Sequence, residues 1–218
     1  MAKREIVKEE KQSSKKRGKR LVEATLTGIT PLLMNHPPEV VLDNLRAGTP
    51  EPRQRDVSLE AEARKVLYID EDGIIGIPVD NIYPCLVEAG RDVKFKGKQN
   101  ISTVKSTKLY MFLTIQGEFF PLSNQEWVPD KRRIRNPETG GMGVGVRPKF
   151  YPWSITVSFI YNADIVTEST IRKLFEIAGT GVGLCDFRPG TRGRFGQFVV
   201  SDWVEKLLEL EAELPQAA

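Results

Sequence analysis

GTGVGLCDFRPGTRGRFGQFVV, residues Gly179–Val200, joins a helix-like segment to a strand-like one, and the rest of the chain is laid out to present it. Gly179, Gly181 and Gly183 alternate with small or apolar residues, and Gly193 and Gly196 bracket Arg194 and Phe195. Glycine admits positive φ and lets a second backbone approach without a Cβ in the way. Successive N–H groups in such a turn form concave sites for anions, most commonly phosphates. Arg188, Arg192 and Arg194 add planar guanidiniums matched to phosphate oxygens. Phe187 and Phe195 are placed either to stack on a base or to pack. A glycine-rich turn with solvated arginines is the plain structural reading of the same residues.

Two nucleotide-binding patterns are excluded. A P-loop closes with Gly-Lys-Ser/Thr, so that the lysine and hydroxyl reach phosphate and magnesium, and no such triplet follows these glycines. A dinucleotide fingerprint follows a strand and opens a helix. Here the order is reversed, because the glycines follow the helix-like Glu168–Ala178. The loop has the character of a backbone clamp for a polymer rather than a pocket for a nucleotide, and no cofactor signature is present.

The chain of 218 residues is 40% apolar, enough for one domain of ordinary size with insertions. Its net charge of +3 is unevenly spread. Residues 1–20 hold nine Lys/Arg against three Glu, so the arm is +6 and the remainder −3. Affinity for a polyanion must therefore be local to the arm and loops. Two cysteines, Cys85 and Cys185, and one histidine cannot close a Cys/His zinc site or a disulfide framework. No run of about eighteen apolar residues is present, and the charged N-terminus lacks the apolar core of a secretory signal. The expectation is a cytoplasmic protein with no membrane partner.

Outward from the loop, residues 1–20 read as a disordered basic arm, in which Lys15–Arg20 (KKRGKR) suits phosphate contacts, a nuclear address or plain solvation. Leu21–Ile29 alternates as a strand. Thr30–Pro38, with three prolines, breaks regular structure and carries His36. Glu39–Asp56 reads as a mobile insertion. Ser58 caps a helix over Leu59–Tyr68, and Asp70–Gly73 turns into Ile74–Ile77. A helix runs from Pro78 or Asp80 to Gly90, with Pro84 tolerable only near its first turn. Lys94, Lys96, Lys98, Lys105 and Lys108 then form a second basic cluster before a strand at Tyr110–Gln116. Glu118–Arg147 combines Lys131, Arg132, Arg133, Arg135 and Arg147 with Trp127 and GGMGVG (Gly140–Gly145), and is expected to protrude as a hairpin that grips a backbone. Trp153–Tyr161 is the clearest strand. Thr167 caps a helix to Ala178, Gly196–Val200 is a strand, and Trp203–Leu214 reads as an acidic amphipathic helix.

Stripped of insertions near 30–75 and 117–150, residues 21–201 run β-α-β-β-α-β. This is an α+β, ferredoxin-like (RRM-like) sheet with long inserted loops and a C-terminal helix over 202–218. Such a sheet is a common platform for single-stranded RNA.

The loop ending in RGRFG (Arg192–Gly196), between last helix and last strand, resembles the signature loop of the RAMP superfamily, the RNA-binding proteins of CRISPR effector complexes. LTGITPLLMNH (Leu26–His36) and the excursion after it are similar to the first strand and following insertion of their backbone subunits. The DFRPG insert (Asp186–Gly190) departs from that pattern and leaves open a phage or mobile-element relative. The resemblance implies a subunit that holds single-stranded RNA, or DNA, by its phosphates. It further implies a repeating homo-oligomer or one part of a larger ribonucleoprotein. The expected contacts are Lys94, Lys96, Lys98, Lys105, Lys131, Arg132, Arg133, Arg135, Arg147, Gly181, Gly183, Arg188, Arg192 and Arg194. Phosphate contacts of this kind confer affinity without sequence choice. Two other readings stand beside it. One is a metal-independent endoribonuclease with His36 as base and a lysine or tyrosine as acid, a metal-dependent variant leaning instead on Asp43 or Asp186. The other is an assembly protein that binds no nucleic acid.

Overall fold

The computed structural model describes residues 18–37, 43–44, 46–48, 58–135 and 140–208, without the side chains of Ile134 and Arg135. Most of the expected arm and of the Glu39–Asp56 insertion lies outside the described residues.

In chain order, β1 (Lys19–Gly28) is followed by β2 (Leu32–Leu33), α1 (Leu59–Arg64), β3 (Gly76–Pro78) and α2 (Val79–Ala89). Then come β4 (Lys94–Lys96), β5 (Gln99–Asn100), a 3-10 turn at Leu109–Met111, β6 (Leu113–Gln116) and β7 (Phe119–Pro121). The chain closes with β8 (Val128–Arg135), β9 (Met142–Phe150), β10 (Ser154–Asn162), α3 (Glu168–Ile177) and β11 (Phe198–Leu207).

The central sheet has the order β11-β1-β10-β6, antiparallel throughout. With α2 and α3 on its chain path, the elements run in the expected β-α-β-β-α-β order, the last strand beside the first. Alternation decides which face is core: Val22, Ala24 and Leu26 of β1 and Ile155, Val157, Phe159 and Tyr161 of β10 are buried. The helices cover that face with Ile82, Cys85, Leu86 and Ala89 from α2 and Ile171, Leu174 and Phe175 from α3. Phe159 stacks on Phe175 at 4.9 Å between ring centroids, a pairing that adds about 1 kcal/mol to its burial. Burial pushes the Cys85 thiol up to about 12, the Arg188 guanidinium opposing.

The opposite face of the sheet carries small hydroxyl side chains, with Leu21, Glu23, Ile160 and Val204 beside them. Thr25 meets Thr156 at 3.4 Å, and Thr27 bonds Ser201 at 2.7 Å. The registers place no aromatic residue on this face. RNA-recognition sheets stack bases on aromatic side chains, so this sheet lacks the chemistry of that platform.

Four local expectations change. The helix after Ser58 ends at Arg64, although the cap is as read, Ser58 Oγ accepting from the Ala61 N–H at 3.2 Å. Pro84 sits at the sixth position of α2, where it withholds an N–H from the helix interior. Tyr110 and Met111 form a 3-10 turn, so the strand begins only at Leu113. The largest correction is at the C-terminus, where Trp203–Leu207 is strand rather than amphipathic helix. Pairing of β11 with β1 gives this segment backbone partners, and the alternation of Trp203, Glu205 and Leu207 then decides its inward side. Trp203 lies 5.5 Å from Phe159 and 6.0 Å from Phe175, both edge-on. Residues 209–218 lie outside the described part.

Tyr161, 2% exposed, donates its hydroxyl to Glu205 at 2.9 Å. Burial, then the hydrogen bond to Glu205 and its charge, raise the phenol above its ordinary value of 10.0. A raised folded value means that this group's contribution to stability is complete below pH 10.0 and is lost as pH climbs through the folded value. Urea-unfolding midpoints across an alkaline pH series are expected to fall in wild type and to fall less in Tyr161→Phe. Equal declines in the two proteins would remove Tyr161 as the cause.

Candidate nucleic-acid interface

α3 does not stop at Ile177. It opens into a π-turn over Ala178–Val182, closed by the Gly183 N–H on the Ala178 carbonyl at 2.8 Å. Such turns are frequent at functional positions because they redirect the chain without ending the helix. Beyond it the glycine loop folds back on itself. Leu184 N–H donates to the Gly196 carbonyl at 2.9 Å and Phe195 N–H to the Phe187 carbonyl at 3.0 Å. Asp186 N–H reaches Leu33 at 2.9 Å and Gly196 N–H reaches Pro31 at 2.8 Å, stitching the loop to the exit of β1.

The glycines therefore serve backbone packing more than an anion nest. Gly196 has φ +68, and a Cβ there would lie 2.0 Å from the Leu184 carbonyl oxygen. Gly183 is buried with its N–H committed, and Gly181 is exposed with only Ile177 within 4 Å of a built Cβ. Cys185, Phe187 and Arg192 also adopt positive φ, of 60°, 50° and 64°. Left-handed backbone costs a non-glycine residue about 1 kcal/mol or more, and strain concentrated in one loop is a mark of functional sites.

Two ion pairs fasten the loop. Arg188 Nη1 lies 2.8 Å from Glu88 of α2, and Arg147 Nε lies 2.8 Å from Asp186. Both guanidiniums are thus partly neutralised by the protein itself. Asp186 also accepts from the Phe187 N–H at 3.0 Å, which leaves it poorly disposed as a metal ligand.

The long segment after Glu118 does form the expected hairpin, β8 paired with β9 from Val128↔Lys149 to Arg135↔Met142. Residues directly opposite in an antiparallel pair share a face. Asp130, Arg132, Arg147 and Lys149 therefore share the side that meets the glycine loop, while Lys131 and Arg133 lie on the other. On the loop side Arg132 sits over the Phe195 ring at 4.4 Å, and Arg194 approaches the same ring at 5.5 Å. Arg132 also bonds Asp130 at 2.9 Å, and Lys149 is 3.6 Å from Asp130. Arg192 and Arg194 are exposed and no carboxylate of the described residues pairs with them. A buried phenyl flanked by the Arg132 and Arg194 guanidiniums holds planar donors in fixed orientation, and Arg192 is exposed in the same loop. Arginines so held lose little freedom on meeting a phosphate.

The expected contact residues thus divide into three groups. Arg132, Arg147, Arg188, Arg192 and Arg194 come together at the loop. Lys131 and Arg133 lie across the hairpin, and the Arg135 side chain is outside the described part. Lys94, Lys96, Lys98 and Lys105 belong to a separate ledge after α2, where Lys96 and Lys108 lie over Phe95 at 5.4 and 5.3 Å. Residues absent from the expectation are Lys149, Asp130 and Glu88. The alternation Arg147, Pro148, Lys149 signalled the first, whereas the acidic partners depend on contacts far apart in sequence.

His36 is half-buried, its ring 4.9 Å from that of Tyr68, and its backbone N–H donates to the Val66 carbonyl at 2.9 Å. Burial raises the Tyr68 phenol above its ordinary value, a hydrogen bond with Asn81 opposing. Asp43 is exposed. Among the described residues no three His, Cys, Asp or Glu side chains gather as a metal site, and no helix is long and apolar enough to cross a membrane.

Neither a family model nor a curated protein matches this sequence. Solved structures do. The chain is similar in fold to one from the cryo-EM structure of the Type III-B Cmr-beta bound to cognate target RNA. The TM-score is 0.51 at 13% identity, over 93% of this chain and 66% of that one. The present chain thus spans a little under two thirds of its neighbour, and at this identity the likeness is one of fold.

Proposed function

We propose that this chain is an RNA-binding subunit of a CRISPR-type ribonucleoprotein, and that it holds single-stranded RNA by its phosphates across the loop side of the β8–β9 hairpin. The observation that carries this is the Arg132–Phe195–Arg194 stack with Arg192 beside it, presented at the end of a ferredoxin-like sheet whose open face has no aromatic residue. Three guanidiniums, Arg132 paired with Asp130 and Arg192 and Arg194 facing no carboxylate of the described residues, form a local polyanion site on a chain whose net charge outside the arm is negative. The fold likeness to a chain from an RNA-bound Type III-B structure supports the same polymer. Phosphate recognition tolerates any sequence, as a subunit repeated along a guide or target requires.

The test is fluorescence anisotropy of the purified chain with labelled single-stranded RNA, single-stranded DNA and duplex over a salt series. Single-stranded RNA is expected to bind best, with log affinity falling linearly in log salt at about 0.7 per phosphate engaged. No binding to any polymer at low salt would sink the proposal, and a preference for single-stranded DNA would change the polymer.

A second reading, the metal-independent endoribonuclease, draws on the contact of His36 with Tyr68, which supplies the base and acid pair such chemistry needs. It requires the purified protein to cleave the bound RNA, and His36→Ala to abolish cleavage while sparing affinity.

A further inference from the structure

We infer that the lysine ledge after α2 is a docking site within the molecule, and that its occupant is the acidic segment of residues 209–218 that follows β11. The ledge is one unit. The Ile101 N–H donates to the Val93 carbonyl and the Lys108 N–H to the Ile101 carbonyl, each at 2.9 Å. Lys108 also covers the Phe95 ring, which stacks on Phe112 at 5.4 Å. Residues 91–111 carry six cations, Arg91, Lys94, Lys96, Lys98, Lys105 and Lys108, against the single carboxylate of Asp92. None of the six forms an ion pair with a carboxylate of the described residues. In the same stretch Val104 is 83% and Tyr110 71% exposed, and Met111 is exposed as well. Cations alone suit a phosphate. Unpaired cations beside large exposed apolar side chains call for an occupant that brings both carboxylates and apolar groups.

The segment after β11 has that composition. ELEAEL (Glu209–Leu214) alternates three glutamates with Leu210, Ala212 and Leu214. The sheet also brings the origin of this segment near the ledge. Leu207 pairs with Arg20, Arg20 with Tyr161 and Tyr161 with Leu113, so these four residues form one row across β11, β1, β10 and β6. Three strand spacings of about 4.8 Å separate Leu207 from Leu113 by about 15 Å. Leu113 directly follows the Leu109–Met111 turn and Phe112 of the ledge. Residues 209–218 reach up to about 33 Å when extended, more than twice that span. Beside the row stand the exposed Lys19 and Asp164, whose charges oppose each other. A segment tethered so close acts at an effective concentration in the millimolar range, ahead of an untethered acidic protein. The basic arm also adjoins the origin of the segment, the Leu208 N–H donating to the Lys19 carbonyl at 3.1 Å. KKRGKR (Lys15–Arg20), however, offers charge without apolar surface.

This contact does not depend on RNA binding, and the experiment keeps the two apart. Equal amounts of ordinary and isotope-labelled full chain are mixed and treated with a water-soluble carbodiimide, which joins a lysine amine to a carboxylate in contact with it. The joined peptides are read by mass spectrometry, at low and high salt, with and without single-stranded RNA. Wild type is expected to show bonds from Glu209, Glu211 and Glu213 to Lys96, Lys98, Lys105 and Lys108, within one isotopic species, and to lose them as salt rises. In Lys96→Glu/Lys98→Glu the bonds to Lys105 and Lys108 should be largely lost, because the reversed charges repel the segment. Unchanged bonds in that variant overturn the inference. So does wild type with no bonds to the ledge at low salt, or with bonds to the arm lysines alone. Bonds found as often between the two isotopic species as within them assign the ledge to the segment of another copy. Bonds lost on adding single-stranded RNA assign it to RNA, and either result overturns the inference. Ledge bonds in a protein that binds no RNA leave this inference standing and remove the RNA reading alone.

Discussion

Replacing Arg132, Arg192 and Arg194 together with alanine is expected to weaken single-stranded RNA binding by about a hundredfold, each charge-assisted phosphate contact contributing roughly 1 kcal/mol. The slope of log affinity against log salt should drop by about 2, three phosphates at about 0.7 each. Lys131→Ala/Arg133→Ala is the matched comparison. It removes two exposed cations from the same strand, but from the face that points away from the glycine loop. Anisotropy titrations should therefore show a much smaller change in slope for the pair than for the triple. Equal losses would mean that charge alone, and not the loop-side geometry, governs binding. An unaltered slope in the triple would move the RNA off this face. Arg147 and Arg188 are left out because their ion pairs with Asp186 and Glu88 at 2.8 Å tie the glycine loop to other elements, so that their removal tests loop anchoring as much as phosphate contact, whereas Arg132 pairs with Asp130 within its own strand.

Gly196→Ala should destabilise the fold by about 4 kcal/mol, lowering Tm by roughly 10 °C for a chain of this size. Two costs coincide there. The left-handed φ of +68 penalises any Cβ, and the added methyl would stand 2.0 Å from a backbone oxygen of Leu184 that cannot swing away. Relief requires the loop to separate from the exit of β1, breaking the Gly196 to Pro31 and Leu184 to Gly196 hydrogen bonds. Gly181→Ala provides the contrast, because its built Cβ meets nothing nearer than 3.8 Å and its φ is not in the left-handed region. Its stability should change by less than about 1 kcal/mol. If thermal unfolding shows equal shifts for the two, the loop is not packed as described.

Local signals in the sequence were enough for the sheet and its helices. Val22, Ala24 and Leu26, and the Trp153–Tyr161 alternation, can bury a face only as strands, and Thr167 accepts from the Thr170 N–H just where the helix was read to begin. The hairpin over β8 and β9 was also legible, from glycines and cations in a stretch too long for a plain loop. Trp203–Leu207 misled because Val204, Leu207 and Leu208 satisfy a helical period as well as Trp203, Glu205 and Leu207 satisfy an alternating one. Nothing within the segment reveals that β1, nearly the whole chain away, offers it an open edge.

The basic residues divide along the same line. Their number, and their concentration around the glycine loop, are properties of the sequence by itself, as is the β-α-β-β-α-β order that sets the loop at the end of a sheet. Which of them share a face was decided only by tertiary structure. The register of β8 against β9 turns Arg132 toward Phe195 and Lys131 away from it. Glu88 and Asp186 claim Arg188 and Arg147 across separations of 100 and 39 residues. A one-residue step along a strand reverses the face a side chain occupies, and an ion pair depends on distance in space rather than along the chain. Composition therefore specifies that this protein carries a local cationic surface, and the packing of hairpin on loop specifies where that surface is.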